Sequence, residues 1–202
     1  MDQADNQYAK AISPGLRRHD GVSMTLHWLT LMLLVVLLGA IWAREQASDG
    51  DTAALLLTLH RSAGVLIWVV TLTRLAWKAT AARAVALPRT MCRAQRWAAR
   101  ANEYALYFLL AVQPVTGFVQ SIARGRDFPL LGASVPVVMA RDRGVTHLFH
   151  DIHETSATLL LVLVGLHACA AMFHGIVLRD GVLGSMLPAW KRTRENKSRG
   201  RE

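Results

Sequence analysis

Four histidines stand inside or at the edge of long apolar runs: His27, His60, His153 and His167. Imidazole is a common metal ligand, and an ionisable group within a membrane-length run is costly enough to be a functional candidate by default. His153 and His167 are 14 residues apart in one run. That is nearly four helical turns, so they share a helix face about 21 Å apart along the axis. One helix therefore offers an imidazole at two levels, and His27 and His60 can supply a partner at each. Two imidazoles facing one another are what a six-coordinate haem iron requires, one on each axial side. A single four-histidine zinc or copper site is excluded by the 21 Å separation, about 14 residues of helix. Two isolated two-histidine sites would lack the four ligands of structural zinc. The spacing thus predicts two b-type haems, held by His27 with His167 and by His60 with His153. His174 lies seven residues past His167 on the same face, about 10 Å further along. Arg74 repeats the 14-residue interval from His60, which puts a cation at the level of the His27 pair.

The elements that must position these groups are long and apolar. The chain of 202 residues is 52% hydrophobic, and its apolar residues collect in four blocks, as expected for a polytopic membrane protein. The prediction is an all-α membrane protein: a four-transmembrane-helix bundle forming one domain over residues 1–202, with spans at 22–43, 52–77, 104–123 and 149–178. In the last of these, residues 155–178 contain no Lys, Arg, Asp or Glu, enough for a span of about 20 residues. Trp28 and Trp42 fall toward opposite ends of the first span, where indoles favour the interface. Gly64, one turn past His60, lets a planar ligand or another helix approach closely. Pro114 and Gly117 suggest a kink in the third span. Residues 124–146 read as a surface loop across the bundle mouth, and His19 as a solvated residue among charges. No cleavable secretory signal is expected, because the first 21 residues are polar. Cys92 and Cys169 form no CxxC or CxxCH pattern, which excludes a c-type haem attachment and leaves them as inert thiols.

The net charge of +9 is distributed as topology demands. Counted on alternate sides of the four spans, one side carries 17 Lys and Arg and the other six. Cytoplasmic segments are enriched in these residues, so both termini should be cytoplasmic. The basicity then reflects orientation and contact with anionic lipid, not nucleic-acid binding. In this orientation His60 and His153 lie toward the outer side, and His27 and His167 toward the cytoplasm.

SMTLHWL in the first span, LHRSAGVLIWVVTLTRL in the second, QPVTG in the third and HDIHETSATLLLVLVGLHACAAMFH in the fourth together resemble the small bacterial cytochrome b561 proteins. These are four-helix di-haem membrane cytochromes, and the resemblance covers nearly the whole chain. Its most specific parts are LHW and HE followed twelve residues later by H. It implies that His27, His60, His153 and His167 are axial ligands of two haem b groups in the bacterial inner membrane. It further implies transmembrane electron transfer with ubiquinone or another quinone, and for some members superoxide:ubiquinone oxidoreductase activity. Arg61, Arg124, Arg126, Arg141 and Arg143 could focus an anion such as superoxide on the outer side. The alternatives are a cytochrome b subunit linking a dehydrogenase or a periplasmic redox protein to quinone and, in another class, a non-enzymatic haem-binding sensor or assembly protein. Arg74 is a candidate propionate partner, and His174 a candidate quinone or propionate partner. Several relatives have a histidine near the entry of the third span, where this chain has Glu103.

Overall fold

The computed structural model describes residues 18–82 and 91–187. Ser13–Gly15, whose residue types signal a turn, the loop residues Arg83 and Arg89, and the basic tail from Lys191 lie outside the described residues. Four long helices account for most of the rest: α1 (Gly21–Gln46), α2 (Gly50–Thr80), α3 (Arg93–Ile122) and α4 (Arg143–Phe173). All four are long and apolar enough to cross a membrane. Three begin on an aspartate whose carboxylate accepts from the backbone N–H three residues on, satisfying a donor that has no partner within the helix. Asp20 accepts from Ser23 at 2.9 Å, Asp49 from Thr52 at 2.7 Å and Asp142 from Val145 at 3.0 Å. Asp20 also accepts from the Ser23 hydroxyl and from Trp77 Nε1 on α2. The Ser23 backbone bond, joined by these two, holds its carboxyl down to about 2. The cap contribution is therefore fully present above the usual carboxylate range and is lost only as pH falls through about 2.

Two boundaries differ from expectation. Helix α3 starts at Arg93, not 104, because a helix need not end where hydrocarbon ends and Arg, Ala and Gln are good helix formers. Helix α4 starts at Arg143, not 149, and is prolonged by a π-helical turn over His174–Leu178. A short helix α5 (Val182–Ser185) follows. Helix α3 runs through Pro114 without interruption. The connection between α3 and α4 is more ordered than a plain loop. Strands β1 (Phe128–Leu130) and β2 (Ala133–Val135) pair antiparallel. The two residues between them, Leu131 and Gly132, both have positive φ, as a two-residue hairpin turn requires. The hairpin is tied to α2, since the Leu131 N–H donates to Ser62 Oγ at 3.0 Å.

Helix α1 packs on α2, α2 on α3 and α3 on α4, while the backbone of α4 keeps few close approaches to α1 or α2. The buried core is a small cluster of Leu34, Ile67, Leu109, Leu110 and Leu160. Large apolar side chains such as Val35, Leu55, Val69, Phe108, Val162 and Ile176 point outward. Acyl chains are as apolar as these side chains, so the bundle has no need to hide them. The described ends meet: the His19 N–H donates to Ser185 O at 3.2 Å, and Trp28 Nε1 donates to Met186 O at 2.9 Å. His19 is half-buried, not freely solvated. Burial lowers its proton affinity below the ordinary imidazole value, opposed by Asp20 and Glu103.

Candidate functional site

The four histidines come together as two pairs. His27 on α1 faces His167 on α4 with ring centroids 6.2 Å apart, and His60 on α2 faces His153 on α4 at 6.3 Å. Two imidazole–metal bonds of about 2 Å each, plus the reach from each nitrogen to its ring centre, also come to about 6 Å. The ring spacing therefore fits a metal held axially between two imidazoles. Among the described residues, no three His, Cys, Asp or Glu side chains are grouped to hold a metal ion. The donor set at each level is two imidazoles, which suits a haem, whose macrocycle supplies the other four ligands.

The shell around the His60–His153 pair orients the rings. His60 Nδ1 lies 2.9 Å from the Leu37 carbonyl, and His153 Nδ1 lies 3.1 Å from the Gln113 carbonyl. A carbonyl only accepts, so both rings carry their proton on Nδ1 and leave Nε2 as the free donor atom. Thr116 adds to this shell, its Oγ1 donating to the Gln113 carbonyl and lying 2.9 Å from His153 Nδ1. Gln113 in turn donates from Nε2 to the His153 carbonyl, and its Oε1 accepts from Ser156. Gly117 completes the seat. A Cβ there would come within 3.0 Å of His153 Cε1, so any side chain would push the imidazole. Gly64, singled out from the sequence, is buried against α1, where a Cβ would meet Leu37 at an ordinary 3.7 Å. The tight glycine is Gly117, for which the sequence suggested only a kink.

The pair nearer the termini is built differently. Arg74 on α2 reaches His27 Nδ1 at 3.0 Å, and its guanidinium carbon stands 5.2 Å from the Tyr107 ring centroid. Arg74 thus stands at the level predicted from its interval to His60. Guanidinium only donates, so in this arrangement His27 Nδ1 accepts. His167 presents an exposed imidazole. Glu103 forms an ion pair with Lys78 across α2 and α3, and Lys78 also lies over the Tyr104 and Tyr107 rings. His174 is hydrogen-bonded through Nδ1 to Asp180, both side chains being largely buried. Asp180 is a partner of His174 that the sequence reading did not identify. A His and an Asp six residues apart do not meet on a regular helix. They meet here because the π turn and Arg179, in the left-handed region at φ 51, fold the chain back. Cys92 and Cys169 are free and exposed.

At the opposite end, Arg124, Arg126, Arg141 and Arg143 line one cavity with Thr146 and His147. Arg61 stands over the Phe128 ring at 4.8 Å.

Comparison with known proteins gives the family. Residues 18–189 match the family described as prokaryotic cytochrome b561. The chain is 28% identical to cytochrome b561 homolog 1 of Escherichia coli over 87% of its own length and all of that protein. It is 23% identical to the probable superoxide oxidase CybB of Yersinia pestis, covering 85% of this chain and 97% of that one. It is 26% identical to cytochrome b561 homolog 2 of Escherichia coli, over 84% and 91%. The family binds b-type haem and carries electrons across the membrane. With its four spanning helices and its match over residues 18–189, this chain is a multi-pass protein of the bacterial inner membrane and belongs to the prokaryotic cytochrome b561 family.

Proposed function

We propose that this protein moves electrons between the two membrane faces through two haem b groups, one per histidine pair, and exchanges them with the quinone pool. The observation that carries the reading is the repeated ring spacing, 6.2 Å and 6.3 Å, at two levels of a single helix. Each haem, when bound, supplies a one-electron couple, and the protein supplies ligation, orientation and electrostatics. His60 and His153 hold the outer group, with the Leu37 and Gln113 carbonyls fixing their tautomers. His27 and His167 hold the inner one, and both termini face the cytoplasm. A redox-titrated absorption spectrum of purified protein, with haem quantified per chain, tests the reading. Two low-spin components, both exchanging electrons rapidly with the quinone pool through reduction by ubiquinol or its reverse, are expected. One haem per chain, or inertness in both directions, would overturn it, and inertness would favour a sensor or assembly role.

Arg74 serves the inner group as a cationic partner for a propionate. In that role it turns from His27 Nδ1, which can then carry the proton that ligation through Nε2 requires. A positive neighbour favours the reduced state, so Arg74→Leu should lower the potential of one haem. A shift of roughly 60 mV corresponds to a tenfold change in a one-electron equilibrium. An unchanged potential would return Arg74 to the role of interfacial anchor.

The quinone site lies on the cytoplasmic side, bounded by His174. The largely buried Asp180 side chain beside His174 supports this, since its hydrogen bond to Nδ1 orients the ring. Superoxide is the electron donor favoured at the outer face. The arginine-rich end of the bundle, with Arg61 next to His60 in sequence and Arg124 and Arg126 after α3, supports it, together with the name of the Yersinia pestis relative.

A further inference from the structure

The end of the bundle opposite the termini carries six arginines and no lysine, four of them lining one cavity with Arg44 and Arg61 nearby. Arg44 stands in the last turn of α1, and Arg61 within α2. Arg124 and Arg126 follow α3, and Arg141 and Arg143 flank the cap of α4. The backbone is shaped to bring the last two pairs together. Gly125 has φ +64, and a Cβ on it would lie 2.5 Å from the Arg141 backbone nitrogen. The Asp142 N–H donates to the Ala123 carbonyl at 3.0 Å, locking the two arms. Between them they line a cavity of about 480 Å³.

These charges are not neutralised internally. Among the described residues, none of the six arginines forms an ion pair. The acids beside Arg126, Arg141 and Arg143 in sequence are otherwise engaged, Asp142 as the α4 cap and Asp127 accepting from Ser134 Oγ. Arg44 Nε is buried without a hydrogen-bond partner. Burial, then the charges of Arg126 and Arg44, lower the proton affinity of Arg124. A cluster of like charges held this close is costly, and an anion with several oxygens would offset the cost. Guanidinium forks match phosphate oxygens in pairs. The cavity is also far larger than a two-atom anion needs, since one water occupies about 30 Å³ of liquid.

We propose that the arginine-lined cavity between residues 123–126 and 141–147 binds a phosphate-class anion, either a phospholipid headgroup or a free phosphate or pyrophosphate. This does not depend on superoxide being the electron donor, and its test reads binding instead of electron transfer.

The haem-loaded protein is purified in uncharged detergent and stripped of lipid. It is then titrated with pyrophosphate and with inorganic phosphate by calorimetry at constant ionic strength. In parallel it is placed in nanodiscs of phosphatidylcholine with or without phosphatidylglycerol, and co-purifying lipid is quantified after re-extraction. Both arms are repeated with Arg141→Gln/Arg143→Gln, and with the single exposed change Arg126→Gln should the double variant fail to hold haem. If pyrophosphate or phosphate binds and affinity falls at least about tenfold in the variant, as expected for lost charge-assisted hydrogen bonds, the anion is a free one. If only phosphatidylglycerol is retained and the variant loses it, the ligand is a headgroup. Binding of neither, or equal binding by wild type and variant, would overturn the proposal.

Discussion

Alanine at His60 or at His153 is expected to remove the outer haem and leave the inner one, halving the haem recovered per chain. Alanine at His27 or at His167 should do the converse. The effect should be all-or-none at each level, because each haem would be held by one histidine from each of two helices and loss of either would release it. The ring pairs at 6.2 Å and 6.3 Å predict which variants must match. His60→Ala and His153→Ala should leave the same residual redox component, and His27→Ala and His167→Ala the other. The measurement is a redox-titrated difference spectrum with haem quantified against protein. If the two members of one pair erased different components, the pairing by depth would be wrong. The tautomer-setting carbonyls of Leu37 and Gln113 are backbone groups, so no side-chain substitution at either position removes them.

His174→Ala should preserve both haem spectra and slow haem reduction by ubiquinol by about 100-fold, the lower range for loss of a positioned acid–base group. Asp180→Asn, which keeps the shape but weakens the hold on Nδ1, should slow it less. Stopped-flow absorbance at the haem bands measures both. Wild-type kinetics in a fully haem-loaded His174→Ala protein would exclude His174 from the quinone site. A protein that lost the inner haem instead would assign His174 a structural part in the seat of that haem.

The four spans could be read directly because a charge-free stretch of membrane length has few other uses, and each expected run falls on one of the four long helices, the third passing the end of α3 by one residue and the fourth running on through the π turn. The pairing of histidines was equally legible. A 14-residue interval on one helix becomes a depth difference by geometry alone, and antiparallel connection assigns the partners. What could not be read depended on contacts between helices or on departures from regular backbone. Gln113, Thr116 and Ser156 form a shell around His153 only because α3 and α4 pack at that register. Nothing in QPVTG distinguishes a ring seat from a proline kink. Asp180 meets His174 only through the π turn and the left-handed Arg179. The six arginines at the end opposite the termini were visible as a charge count, but the convergence of four of them on one cavity depends on Gly125 and on the backbone bond from Asp142 to Ala123. The aspartate caps at Asp20, Asp49 and Asp142 could have been found, each being an acid directly before a helical run.

Helix α4 contributes one imidazole to each pair, and this makes it a ruler. The interval between the two levels is set by 14 covalently linked residues wound at a fixed rise, about 21 Å, and not by loops or by bilayer thickness. Loops can lengthen, and lipids can thin or thicken, without changing that interval. One residue inserted between His153 and His167 would instead turn one imidazole by about 100° relative to the other and uncouple the two levels. Any property that falls steeply with distance, electron tunnelling above all, is thereby made a matter of chain length, and evolution can vary the two faces of the protein while the gap between them stays constant.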